Sequence, residues 1–529
     1  AAAMAFNDRA RPRRNHDRPD KKTSNRERPD GEGLNHGRPK PERFKNERPN
    51  NRGPGKDRSG DAPKRFGTDR GTDRGTGRGD DGGAGNQKGP SKRDAGAPEE
   101  PLPPEPRRAA RDILTLVEKG ERLEEALENA RSFAALEGAD RGLARAIAST
   151  VLRRRGAIDH VVGAYIQRPI PKRAHRAMEI LRMAAAQSLF LRTPDHAVVS
   201  TSVSLAKQFR ETEGYAGLIN AVARKVARTG PPALKTLPAR VDTPAWLWRS
   251  WERAYGPVKA KAIAAAHQRE AALDLTPKKP AAADEIAAAI GGSVILGASV
   301  RAPAKARVTA LPGFDDGAWW VQDAAAAIPA RLLGDVAGKR VFDLCAAPGG
   351  KTMQLAAAGA NVIAVDDSGP RLKKLRENLE RVGLEAETVK KDAADLRGEA
   401  DAEAILLDAP CSATGTIRRH PDILWAKSED DVAALTALQA TLIDAAWRLL
   451  KPGGVFVFAT CSLQREEGEK QIEAALERLA GATLKPVTLA EVGGLSEAIT
   501  KDGYLRTLPS MLADQGGIDG FFAARLQKS

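Results

Sequence analysis

Between Arg107 and Arg228 apolar residues recur at i, i+3, i+4 and i+7, a spacing that predicts amphipathic helices. The stretches that carry it are "RRAARDILTLVEKG", "LARAIASTVLRRRGAIDHVV", "RAMEILRMAAAQSLFLRT", "HAVVSTSVSLAKQF" and "LINAVARKVART". Gly120, Gly156 and Gly230 fall where such helices should stop, giving an all-α domain of about six helices over residues 105–235. A short helical pattern around Trp246, Trp248, Trp251 and Tyr255 follows, its rings read as packing anchors rather than a base-stacking platform. It opens a smaller subdomain, 243–335, with α/β character from about residue 258 and "GAWWVQDAAAAIPARLL" at its end. Beyond Lys339 strand patterns alternate with helical ones. Strands are predicted at "RVFDLC", "NVIAVD", "AETVKKD", "AILLDAP" and "GVFVFAT". The helical stretches "KTMQLAAAGA", "RLKKLRENLERVG" and "ALTALQATLIDAAWRLLKPG" lie between them, so residues 336–529 are expected to form a Rossmann-like α/β domain with a mostly parallel sheet.

Residues 1–104 break this pattern. They contain Leu34 and Leu102 but no valine or isoleucine, too little apolar surface to offset chain entropy, so a disordered tail is expected. Arg-Pro recurs at Arg18, Arg28, Arg38 and Arg48, and 25 Lys/Arg against 17 Asp/Glu leave the segment at +8. Such Arg/Gly/Pro-rich tails hold RNA through phosphate contacts or merely solvate the chain. The whole chain carries +15, which fits a polyanionic partner. No apolar run reaches the roughly 18 residues needed to span a bilayer, and no secretory signal is evident. Three cysteines without a CxxC pair, and seven scattered histidines, predict neither a disulfide framework nor a metal site. A cytoplasmic monomer without membrane or metal is the expectation.

The candidate chemistry lies at the carboxyl ends of the predicted strands. "VFDLCAAPGGKT" reads as a strand, a glycine turn at Gly349-Gly350 and a helix start, the place where an α/β sheet binds a cofactor. Neither GxGxxG nor GxxxxGK[ST] is present, so a phosphate binder is disfavoured. S-adenosylmethionine, a sulfonium cation without phosphates, suits a glycine turn flanked by acids. Asp366 is placed for ribose hydroxyls, Asp392 for the adenine amino group, and Asp408 near the methyl group. Asp343 joins them as a fourth strand-end acid; turn capping is the rival explanation for each. Cys411 and Cys461 follow the fourth and fifth strands and should open on the same edge. Thiols there suit methylation of a pyrimidine C5: a thiolate adding at C6 makes C5 nucleophilic, and the thiol is later expelled. An amino-methyltransferase would show [DNS]-P-P-[YFW] in place of "DAPC", and a DNA cytosine methyltransferase a "PCQ" loop. Cys345 reads as a small buried residue opening the cofactor loop. Arg153-Arg154-Arg155, Arg224-Lys225 with Arg228, and Arg418-Arg419 with His420 are candidates for phosphate or base contact, against solvent-face or capping roles.

"ADRGLARAIASTVLRRRGAID", "LRMAAAQSLFLRTPDHAVVSTSVSLAK" and "LINAVARKVAR" resemble the NusB-type RNA-binding helical domain. "DLCAAPGGKT", "LLDAPCSATGTIRRHPDILW", "KPGGVFVFATCSLQREEGE" and "GIDGFFAARLQK" resemble the RNA cytosine-C5 methyltransferases of the RsmB/NOP type, over residues 243–528. That resemblance implies a class I methyltransferase domain acting on ribosomal RNA, most simply 16S rRNA or its small-subunit particle. It puts the nucleophile on Cys461 and assistance of release on Cys411. Cofactor contacts carry over onto Cys345, Ala346, Ala347, Pro348, Gly349, Gly350, Lys351, Asp366, Asp392 and Asp408. Where the family shows an Arg-Val-Asn strand, this chain has "LDLTPKK". A competing reading is an RNA-binding ribosome-assembly or antitermination factor with an idle methyltransferase fold.

Overall fold

The computed structural model describes residues 105–529 apart from 305 and 399; the tail expected over 1–104 lies outside the described residues. The first elements are helices Pro106–Glu118, Leu123–Asn129, Gly138–Arg153, Arg155–Gly163, His175–Leu189, Asp195–Lys207 and Ala216–Lys235, with single turns at Arg131–Ala134 and Arg210–Glu213. The predicted stripes point inward: Ile113, Leu123, Ile147, Ile158, Ile180, Leu181 and Met183 are all under 2% exposed. Each such side chain contributes on the order of 1.5–3 kcal/mol by leaving water. Glu105 starts the first helix by accepting from Arg108 N–H at 2.8 Å, with Pro106 at the position that needs no donor.

Two of the expected helix stops are not stops. Gly156 lies inside the helix Arg155–Gly163, where an added Cβ would fall 1.8 Å from the Val241 carbonyl oxygen. Gly230 lies inside Ala216–Lys235, which continues through Pro231 and Pro232; a Cβ there would meet Leu189 Cδ2 at 2.8 Å. Both glycines permit close packing between elements distant in sequence, a requirement that looks identical to a terminator in a one-dimensional pattern. Only Gly120, at φ +102°, follows a helix end.

Next comes the helix Ala245–His267, broken at Gly256-Pro257, and four short strands. These are β1 (Asp274–Pro277), β2 (Ser293–Ile295), β3 (Ser299–Arg301) and β4 (Trp319–Val321), an antiparallel sheet in the order β2-β3-β1-β4. Trp251 is buried and donates to Gln464 Oε1 at 3.1 Å, and Tyr255 donates to the Leu463 carbonyl at 2.5 Å, so both act as anchors. The divergent "LDLTPKK" forms β1, where Asp274 is fully buried and takes Arg301 in a two-pronged ion pair of 2.7 and 2.9 Å.

The large sheet comprises β5 (Arg340–Leu344), β6 (Asn361–Asp366), β7 (Glu387–Lys390), β8 (Ala402–Asp408), β9 (Leu450–Thr460), β10 (Ala482–Leu484), β11 (Leu505–Arg506) and β12 (Phe522–Lys528). Its order is β10-β12-β9-β8-β5-β6-β7, with β11 on β12. β5 to β9 are parallel and β12 runs antiparallel to β9. All five strands predicted after Lys339 are present. Alternate side chains serve opposite faces: Phe342, Ile405, Leu407, Phe456 and Phe458 pack with Leu442, Ile443 and Ile472, while Val341, Val362, Leu406 and Val457 pack with Ile328, Leu332 and Leu355. Burial on both faces is why these strands read as continuous apolar runs. The chain leaves β5 toward β6 on one side and returns to β8 on the other, which opens a crevice at their carboxyl ends.

Candidate functional site

The segment after β5 turns within a few residues. Cys345 has φ +60° and Gly349 φ +105°; Gly349 N–H donates to the Ala346 carbonyl at 2.9 Å, and the helix Gly350–Ala357 begins. A Cβ on Gly349 would press on Leu375 Cγ at 2.9 Å, so both the backbone angle and the space call for glycine. Asp366, ending β6, braces this turn from beside it: Oδ2 accepts from Ala347 N–H at 3.1 Å and Oδ1 from Ser368 N–H at 3.0 Å. Arg371 pairs with Asp366 at 3.3 Å and also donates to the Ala347 carbonyl. Lys351 reaches back under the turn to Asp408 at 2.7 Å. Burial alone would lower the Lys351 ammonium, but the adjoining Asp408 carboxylate outweighs it and holds the pKa above its usual value. Cys345 is pushed far above the usual thiol range by burial and then by Asp408 and Asp366, so it stays a neutral packing group.

The remaining acids divide. Asp392 is exposed and caps the turn Ala393–Asp395 by accepting from Ala394 N–H at 2.8 Å, so the capping role weighed for it is real. Asp343 is not at the edge: it is fully buried under the turn, with Oδ2 taking the Thr352 hydroxyl at 2.6 Å and Oδ1 without a partner. The two cations here are already paired, and the acids outnumber them. Such a lining repels phosphates and fits a cationic donor, with an unsatisfied buried carboxylate oxygen as further acceptor capacity. S-adenosylmethionine fits these residues. Cys345 to Lys351 could hold it, with Asp366, Asp392 and Asp408 as acceptors.

Burial raises Asp343 to about 7. A carboxyl group whose folded pKa exceeds its unfolded value stabilises the fold only while protonated, so its contribution falls as pH rises from about 4 to about 7. Relative to Asp343→Asn, the ligand-free wild-type protein should lose roughly 2–3 kcal/mol of unfolding free energy between pH 5 and pH 8. Urea melts of both proteins across that range check this; a difference that stays level with pH refutes it.

β8 and β9 deliver the two thiols. Ala409 N–H donates to the Ala459 carbonyl at 2.9 Å, keeping the strands in step to their ends, and Cys411 Sγ lies 3.5 Å from Cys461 Sγ. The loop after Cys411 is held against that after Cys461: Gly415 N–H donates to the Cys461 carbonyl at 2.9 Å, where a Cβ on Gly415 would sit 1.9 Å from the Gly520 oxygen. Cys411 is raised well above the usual thiol pKa, first by its hydrogen bond to the Cys461 sulfur and then by burial. Burial and the neighbouring sulfur thus favour the protonated form of Cys411, within S–H···S reach of Cys461.

Sequence reasoning missed a network of buried polar groups around these loops. Glu467, with no exposed surface, accepts from Ser412 N–H at 2.8 Å and from the hydroxyls of Ser412 and Ser462 at 2.5 Å each. Arg506 pairs with Glu469 at 2.7 Å and donates to the Ser462 carbonyl at 2.5 Å. The motifs "TCSLQREEGE" and "LLDAPCS" contain the carboxylates and serines, but nothing in their spacing reveals which will face each other. Arg418 and Arg419 are not phosphate ligands either. Arg419 bridges Asp323 at 2.6 Å and Asp519 at 2.8 Å, and Arg418 donates to the carbonyls of Gly516 and Glu270. Losing Arg419 would leave two carboxylates buried, a defect of about 3–5 kcal/mol.

The helical region docks on this same loop. Arg153 donates to the Arg418 carbonyl at 3.0 Å, Trp425 to the Leu152 carbonyl at 2.7 Å, and Leu123 N–H to Asp422 at 3.3 Å. Arg153, Arg154 and Arg155 therefore face inward, Arg154 onto Asp242 at 2.8 Å and Arg155 over the Trp425 ring. Arg224, Lys225 and Arg228 remain exposed. Among the described residues no group of three metal-ligating side chains occurs, and no helix is long and apolar enough to cross a membrane.

Comparison with known proteins agrees with this architecture. A family model described as 16S rRNA methyltransferase RsmB/F matches residues 330–527, and the NusB family model matches residues 104–228. Ribosomal RNA small subunit methyltransferase B of Pseudomonas putida is 36% identical over 414 residues, covering 74% of this chain and 91% of that protein. The protein of the same name from Shewanella oneidensis is 33% identical over 434 residues, covering 80% and 98%. The crystal structure of PH0851 superposes with a TM-score of 0.65 at 24% identity, covering 81% of this chain and all of that one, a likeness of fold.

Proposed function

The chain belongs to the RsmB/F family of S-adenosylmethionine-dependent rRNA methyltransferases, and from that membership we propose that it methylates C5 of a cytosine in 16S rRNA through a covalent adduct on Cys461. The observation that carries the reading is the 3.5 Å separation of Cys411 and Cys461 at the ends of adjacent strands, beside the Lys351–Asp408 pair. S-adenosylmethionine, when bound, supplies an electrophilic methyl group. The Cys461 thiolate adds to C6 of the base; the S–C6 bond forms and the C5=C6 electron pair moves onto the ring, which makes C5 a carbon nucleophile. Asp408, half-buried at the end of β8 and steadied by Lys351, offers an acceptor to the amino group of cytosine. After C5 has gained the methyl group and lost its proton, the C5–H pair restores C5=C6 and the S–C6 pair returns to sulfur. Cys411, held as a thiol, shares its proton with that departing sulfur.

In this reading residues 336–529 perform the chemistry and residues 105–235 help to hold RNA, with Arg224, Lys225 and Arg228 supplying exposed positive charge. The sequence carries both thiols and the acids Asp366, Asp392 and Asp408, which supports a working enzyme over an idle fold. Bisulfite sequencing of 16S rRNA from cells with and without the gene tests it: one protected cytosine should become convertible on deletion. An unchanged protection pattern would overturn the cytosine-C5 assignment.

A further inference from the structure

We propose that Glu467 is a positioning residue that sets the separation of the two thiols, acting through the serine that follows each of them. The inference rests on the adduct chemistry proposed above. Ser412 follows Cys411 and Ser462 follows Cys461, and both hydroxyls donate to Oε2 of Glu467 at 2.5 Å, while Ser412 N–H donates to Oε1 at 2.8 Å. Gln439 joins from the helix Glu429–Leu449, donating to Glu467 Oε1 at 3.3 Å and to the Pro410 carbonyl at 2.9 Å. Glu467 itself is pinned to the end of β9 because the Thr460 hydroxyl donates to its carbonyl at 3.0 Å. One carboxylate thus ties together the loops that follow β8 and β9, at serines that each adjoin a thiol-bearing residue.

Stability alone does not ask for this group. Well-packed apolar side chains in place of Glu467 and its hydroxyl partners together would fill the same space without the desolvation cost of a buried carboxylate. What a carboxylate adds is direction, because its two oxygens fix the two loops in one relative position. The loops need that, since a sulfur–sulfur contact is lost with a shift of about 1 Å, a displacement that costs about 100-fold where reacting groups must align. The Glu467 charge also adds to the field that keeps Cys411 protonated.

The test uses the full-length protein and phenylarsine oxide, which condenses with two neighbouring thiols to a dithioarsinite and releases water. Capture is read by intact mass spectrometry, methyl transfer by steady-state kinetics. Glu467→Ala should bind the arsenical at least about tenfold more weakly and lower kcat about 100-fold, with KM for RNA nearly unchanged. Glu467→Gln keeps an acceptor oxygen and offers an N–H to a rotated hydroxyl, so it should restore most of both. The double variant Ser412→Ala/Ser462→Ala leaves the carboxylate but removes its hydroxyl partners, and should fail as Glu467→Ala does; it decides the matter if the latter does not fold. Wild-type capture and kcat in either folded alanine variant, or a glutamine variant as impaired as alanine, would overturn the proposal. Capture needs neither RNA nor methyl donor, so its loss would stand even if the target atom were not cytosine C5.

Discussion

Cys461→Ala should abolish methyl transfer to ribosomal RNA, by about 10⁴-fold or more, because it removes the only atom proposed to bond to the base. The variant should fold normally. Cys461 is only partly buried, and the change deletes one sulfur without leaving a charge unpaired. Binding of S-adenosylmethionine should be nearly unaffected, since the turn after β5 and its partner Asp366 are untouched. Radiolabelled methyl transfer, with calorimetric titration of the donor as control, separates the two effects. Undiminished transfer would move the nucleophile elsewhere.

Cys411→Ala has a different expected signature. The proposed nucleophile remains, so the adduct should form and the methyl group should be delivered, but the sulfur would depart without the thiol 3.5 Å away that is proposed to supply its proton. Turnover should fall by about 10²–10⁴-fold, the usual span for losing a proton-transfer group. A protein–RNA species that survives denaturing electrophoresis should accumulate, and it should vanish in the Cys411→Ala/Cys461→Ala double variant. Absence of that species while Cys461 is intact would remove Cys411 from the release step.

Much of this was legible beforehand. A 3.6-residue period located the helical region, whose helices are buried on one face, and continuous apolar runs located β5, β6, β8 and β9, which are buried on both, with β7 lying exposed at the sheet edge. The placement of Cys411 and Cys461 on one edge followed from the strand pattern alone, since residues just beyond parallel strands share an end of the sheet. The basic clusters were not legible. Arg153 and Arg418 meet only because the helical region docks on the catalytic loop, across 265 residues of sequence. Arg419 finds Asp323 and Asp519 at separations of 96 and 100 residues. Composition marks such residues as charged, and charge on its own predicts solvent or phosphate.

The amino-acid order by itself determined which segments become strands and helices and which side chains stand at their ends, because burial periodicity and turn chemistry act over a few neighbouring residues. Only the tertiary structure decided which buried polar groups satisfy one another: Glu467 with Ser412 and Ser462, Arg419 with two aspartates, Gly156 beneath the Val241 carbonyl. Those choices depend on distances between remote segments of a few tenths of an ångström, since a hydrogen bond has a narrow range and a buried charge must find a partner. No local pattern contains that information.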